Sequence, residues 1–120
     1  MEKLSDFTQL TVWQKAHSLV LRIYQITKNF PAEERFGLIS QMRRAAVSVP
    51  ANIVEGFKKR GKADKINFYN IAQGSLEESR YYLILSKDLG FILEDTRLEL
   101  WNLSEEIAKM LNGLITSIGR

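Results

Sequence analysis

Apolar residues recur along this chain at alternating intervals of three and four, and that spacing constrains the fold more than any other feature. Trp13, Ala16, Val20, Ile23, Thr27 and Phe30 form one such stripe; Leu100, Leu103, Ile107, Leu111, Leu114 and Ile118 form another. Residues so spaced share one face of an α-helix, whereas a half-buried strand would alternate at every second position. No strand-like alternation with turn punctuation competes with the helical pattern.

The spacing predicts four helices, over about 11–29, 38–60, 64–89 and 96–118. Thr11 with Gln14, and Thr96 with Glu99, have capping-box spacing, and Asp64 is placed to cap the third helix. Phe30 precedes Pro31 and is pushed out of the helical region, which stops the first helix near Asn29. Gly37 stands near the start of the second helix, and Gly90 is a natural C-terminal stop for the third. The inner stripe of the third helix reads Phe68, Ala72, Ser75, Ser79, Tyr82, Ser86 and Leu89.

Apolar residues surround the centre of the second helix: Leu38, Met42, Ala45, Val49 and Ile53 on one side, Ala46, Val47 and Val54 on others. A helix apolar on every side is buried by more than one neighbour, and in a short chain one neighbour can be another subunit. Pro50 lacks the N–H that would bond to Ala46, which predicts a kink there. Short connections favour antiparallel neighbours. The expectation is all-α: one domain, 1–120, folded as an antiparallel up-down-up-down four-helix bundle with helix two kinked at Pro50.

Through this apolar centre runs a polar line, Arg44, Ser48, Asn52, Glu55 and Lys59, at spacings of four, four, three and four. A hairpin of helices two and three turning near Gly61 puts residues whose numbers sum to about 122 or 123 at equal height. Ser48 is then level with Ser75, and Arg44 with Glu78, while Gly74 lets the helices approach closely. The expected result is a polar seam of Arg44, Ser48, Asn52, Glu55, Ser75 and Glu78 that fixes register. An Arg44–Glu78 pair should be its clearest member, since a buried charge requires a partner.

Charge is unevenly distributed. The net charge is +3, but residues 1–60 carry ten cations and five anions, against seven and nine in the second half. Lys58, Lys59, Arg60, Lys62 and Lys65 cluster within eight residues, with Asp64 the only acid among them. Such a cluster can attract polyanions or be a solvated turn. With Arg43, which lies on a different face from Arg44, these residues are the candidate nucleic-acid contacts. Phosphate contacts of this kind confer little sequence specificity; the nearby Phe57, Phe68 and Tyr69 could stack bases, although aromatics at helical spacing usually belong to the core.

Enzyme chemistry finds little support. Without cysteine there is no thiol catalysis, disulfide scaffold or cysteine zinc site. The only histidine, His17, has Gln14 three residues before it, so the Glu-x-x-His pairs of di-iron bundles are missing. Nothing in the spacing gathers Ser48, Ser75 or Ser79 with His17 into a nucleophilic triad, and no Walker loop or GxGxxG occurs. Glu77 and Glu78 point about 100° apart on one helix, a poor start for shared acid–base work. No catalytic residue, cofactor or metal site is expected. The start of the chain lacks a signal-peptide pattern and no run is long enough to span a membrane, so the expected compartment is the cytoplasm.

"LTVWQKAHSLVLRIYQITKNFP", "FGLISQMRRAAVSVPANIVEG" and "FYNIAQGSLEES…LGF" are similar in order and spacing to the 23S rRNA intervening-sequence proteins, small bacterial four-helix bundles. The resemblance covers about residues 5–92; helix four is matched only by pattern. It implies assembly as a ring, typically a homopentamer, without an established enzymatic activity. It also implies kinship with the accessory variability determinant of diversity-generating retroelements, a basic ring that partners a reverse transcriptase and nucleic acid. The family's basic positions correspond here to Arg43, Arg44, Lys58, Lys59 and Arg60. A departure is the acidity of helix four, with Glu94, Asp95, Glu99, Glu105 and Glu106. Two functions follow as expectations: binding of RNA or other nucleic acid through the helix 2–3 cluster, or a ring that docks a protein partner such as a polymerase or reverse transcriptase.

Overall fold

The computed structural model describes residues 6–119; residues 1–5, which carry part of the leader reading, lie outside them. Four helices follow in chain order, α1 (Thr11–Thr27), α2 (Leu38–Lys58), α3 (Lys62–Asp88) and α4 (Glu94–Gly119). Single 3-10 turns at Phe7–Gln9 and Ala32–Glu34 precede α1 and α2. Among the described residues there is no strand. Each helix packs on its chain neighbours and α4 closes back on α1, leaving α1 and α3, and α2 and α4, as the diagonals of a four-helix bundle. No helix among the described residues is long and apolar enough to cross a membrane.

α1 and α2 start where the sequence pattern puts them, and the other helix ends lie within two residues of expectation, but the expected caps do not form. Thr11 and Thr96 are already helical, so neither has the extended backbone that a capping side chain needs. The capping box lies one turn earlier than Thr11: Asp6 accepts from the Thr8 N–H at 2.8 Å, and Gln9 accepts from the Asp6 N–H at 3.2 Å. Gly61, not Asp64, is the N-cap of α3; Asp64 lies in the first turn, where its charge suits the helix dipole. Gly90 does end α3 as its sequence position suggests. At φ 81° it closes a Schellman turn, with Gly90 N–H bonded to Lys87 O and Phe91 N–H to Ser86 O. The ring of Phe91 then meets Phe30 at 5.2 Å, joining the two connections at that end of the bundle.

α2 passes through Pro50 without a break, and Pro50 is itself buried. Leu38, Met42, Ala45, Val49 and Ile53 are all buried, as the pattern indicates, together with Ala46. In α3 the inner stripe is rotated from the expected one. Tyr69, Ala72, Leu76, Ser79, Leu83 and Ser86 are buried, whereas Phe68 and Tyr82 are half-exposed and Leu89 is exposed. Both stripes share Ala72, Ser79 and Ser86, and the larger buried area of Leu76 and Leu83 decides between them. The buried hydroxyls are satisfied: Ser79 bonds to Ser75 O, Ser86 to the Met42 sulfur and Ser104 to Trp101 O.

The acids of α4 are largely consumed inside the bundle. Glu106 pairs with Lys15 at 2.8 Å and Glu99 with Arg22 at 2.7 Å, both across to α1. Glu105 pairs with Arg80 of α3, and Glu94 with Arg97 of its own first turn. Hydrogen bonding to Arg22 holds the Glu99 carboxyl below its ordinary range. A carboxyl depressed in the fold contributes stability above its unfolded pKa and loses it as pH falls through the folded value. Because the pair is exposed, its worth is about 0.5 kcal/mol. Glu99→Gln should therefore lower the urea midpoint slightly at neutral pH and leave it unchanged in acid, where both proteins carry a neutral side chain.

Candidate nucleic-acid interface

The loop between α2 and α3 separates the clustered cations into two kinds. Lys65 folds back and donates to Gly56 O at 3.1 Å and Phe57 O at 2.9 Å, satisfying the carbonyls that the end of α2 leaves open. Its ammonium also stands 5.9 Å from the Phe57 ring. Lys59 lies 3.8 Å from Glu55 and 5.1 Å from the centre of the Phe68 ring. Lys58, Arg60 and Lys62 are exposed and have no hydrogen-bond or ion-pair partner among the described residues. The loop cluster thus contains three free cations and two engaged ones. Of the neighbouring aromatics, Tyr69 is buried, and its ring packs against Gly56.

Arg43 is likewise engaged. It donates to Thr27 Oγ1 at 2.9 Å and to Tyr24 O at 3.4 Å, and its guanidinium lies 4.5 Å above the Tyr24 ring. It therefore ties α2 to the end of α1.

The expected Arg44–Glu78 pair is not formed. Register is not the reason, because Ser75 donates to Ser48 at 2.8 Å, the level that the hairpin count gives. Four residues turn a helix by 400°, so Arg44 sits about 40° round from Ser48, on the solvent flank. Arg44 is exposed, and the Glu78 carboxylate instead accepts from the Tyr82 hydroxyl at 3.0 Å. Burial, then this hydrogen bond to Glu78, raise the Tyr82 phenol above its ordinary pKa. Of the six seam residues the structure joins three: Asn52 donates to the Ser48 carbonyl at 2.8 Å and to its hydroxyl at 2.9 Å, and Ser75 completes the group. Glu55 turns to Lys59. The close approach of α2 and α3 occurs at Gly56 rather than at Gly74, which is exposed with open space above it.

Two surface concavities flank α2; the first was not foreseen in the sequence, and the second gives form to the all-round apolar character of α2. Where α1 ends and α2 begins, an open cleft of about 660 Å³ is bordered by Tyr24, Arg35, Phe36, Ser40, Arg43 and Arg44. Further along the same pair of helices, Phe7 and Trp13 face Val47, Pro50, Ala51 and Val54 across an almost wholly apolar depression of about 340 Å³. The exposed His17 stacks on Trp13 at 5.0 Å at its edge. The available signals were Phe36, an aromatic in an otherwise polar turn, and the apolar residues of α2 that neither α1 nor α3 could cover. Among the described residues no three His, Asp or Glu side chains gather as metal ligands would.

A family model described as 23S rRNA-intervening sequence protein matches residues 8–113. No curated protein matches the chain. Among solved structures, the chain is similar to a protein of unknown function from the S23 ribosomal protein family of Bacteroides thetaiotaomicron. The two are 30% identical with a TM-score of 0.79, over 88% of this chain and 98% of that one.

Proposed function

Since the chain belongs to the 23S rRNA-intervening sequence protein family, we propose that it is a self-assembling, non-enzymatic bundle that holds RNA or another nucleic acid through the α2–α3 loop. The observation that carries this reading is that Lys58, Arg60 and Lys62 are exposed at one end of the bundle without partners among the described residues. Three cations in one chain grip phosphate weakly. A homopentameric ring, which the family resemblance implies, would repeat them five times on one face and raise avidity without any new contact. The apolar depression formed by Trp13, Val47, Pro50, Ala51 and Val54 supplies a surface for a second copy to cover.

Replacing Lys58, Arg60 and Lys62 together with alanine should weaken RNA binding about tenfold or more at low salt. It should also flatten the salt dependence, since each lost phosphate contact reduces the slope by about 0.7 for single strands. Filter binding across a salt series checks this; an unchanged slope would remove the loop from consideration. Lys65→Met is the useful contrast. It should lower stability by about 0.5–1 kcal/mol through its lost capping bonds and leave the affinity nearly intact. Light scattering tests assembly, and a monomer at tens of micromolar would defeat the ring.

A second reading, a ring that docks a protein such as a polymerase or reverse transcriptase, draws on the same apolar depression. Recovery of a protein partner from nuclease-treated lysate, with RNA affinity absent from the purified ring, would favour it.

A further inference from the structure

We propose that the cleft between the end of α1 and the start of α2 is a nucleotide site, distinct from the loop cations. Three guanidiniums border it, from Arg35, Arg43 and Arg44, and no acidic residue does. Arg43 is held by Thr27 and Tyr24, but Arg35 and Arg44 are exposed and have no hydrogen-bond or ion-pair partner among the described residues. Two free guanidiniums at one concave surface select an oxyanion, and their planar forks suit the oxygens of a phosphoryl group.

The rest of the lining asks for more than an anion. Phe36 is 89% exposed, the most exposed large apolar residue of the described chain, and stands at the rim. Tyr24 forms part of the wall and presents one ring face to Arg43. An acidic side chain would satisfy the arginines and leave both rings unused. A nucleotide carries a flat π-system beside its phosphate, so it can stack on an aromatic ring while its phosphate meets Arg35 and Arg44. Ser40 adds a hydroxyl for the sugar or phosphate. A volume of about 660 Å³ is within the range of small-ligand clefts.

Arg44 and Lys58 are fourteen residues apart on α2, or about 21 Å along its axis, so the cleft and the loop are separate sites with separate failures. The test is calorimetric titration of the full chain with AMP, adenosine and inorganic phosphate. AMP should bind saturably and at least about fivefold more tightly than either fragment, since stacking and phosphate contacts both contribute. Arg44→Gln and Phe36→Ser should each weaken AMP at least about fivefold. Both positions are exposed, so melting temperatures should not move. The Lys58, Arg60 and Lys62 triple alanine variant should bind AMP like the parent chain even where it has lost RNA. The proposal is overturned if AMP binds no better than inorganic phosphate, if a glutamate-rich peptide competes equally with it, or if Arg44→Gln leaves its affinity unchanged. Absence of saturable AMP binding also overturns it and leaves the loop reading standing.

Discussion

Gly56→Ala should destabilise the protein by about 2 kcal/mol or more, although alanine is the better helix former by about 1 kcal/mol. A Cβ at position 56 would lie 2.8 Å from Cδ1 and 2.9 Å from Cζ of the Tyr69 ring, and closer still to Cε1. Tyr69 is only 2% exposed, and its burial also raises its phenol pKa, so the ring has no solvent into which to swing. The helices must part, or the ring must leave its rotamer; either loosens the packing near the end of α2 that carries the loop cations. Gly74→Ala is the control of opposite sign. Nothing lies within 4 Å of its Cβ position, and that substitution should stabilise α3 by up to about 1 kcal/mol. Urea unfolding of both variants checks the pair, and equal effects would mean that the α2–α3 contact is not where the structure puts it.

That contrast marks what could be read from the sequence. Summing residue numbers across the α2–α3 hairpin placed Ser48 level with Ser75, and the two hydroxyls do meet. The same sum could not say which glycine lies on the contacting face, because height along a helix and rotation about it are separate coordinates. Rotation is also what separates Arg44 from Glu78 and what turns the α3 stripe from Phe68 and Tyr82 toward Leu76 and Leu83. Helix number and order follow from apolar period alone, so those were legible. The state of each cation was not. Lys59 and Lys65 are long enough to reach Glu55 and the carbonyls of α2, whereas Lys58, only one residue from Lys59, points elsewhere.

Charge at the surface therefore differs from charge in the sequence. Helix four reads as an acidic counterweight to the basic cluster, yet Glu94, Glu99, Glu105 and Glu106 are each paired with an arginine or lysine of the same chain. These pairs remove four acids and four cations from the unpaired balance. They leave Arg35, Arg44, Lys58, Arg60 and Lys62 among the charges still open to an outside partner. All five lie in α2, in the segment leading into it, in the α2–α3 loop or at the start of α3, so the weak net charge of the chain understates the field on that side.

Among the paired cations Arg80 should have the largest effect on folding. Its side chain is 13% exposed, its guanidinium lies 4.1 Å from the centre of the Trp101 ring, and it pairs with Glu105 and with Glu77. Its Nε is buried and without a hydrogen-bond partner among the described residues. The group thus joins α3 to α4 through packing of its stem as well as through charge. Arg80→Ala removes both and should cost about 2–3 kcal/mol, whereas Arg80→Met keeps the stem against Trp101 and should cost less than about 1 kcal/mol. Glu105→Ala should cost about 1–2 kcal/mol, because it leaves a mostly buried guanidinium with only the exposed Glu77. The expected order in urea unfolding is Arg80→Ala, then Glu105→Ala, then Arg80→Met. If Arg80→Met were as damaging as Arg80→Ala, charge rather than the packed stem would be what holds α3 to α4.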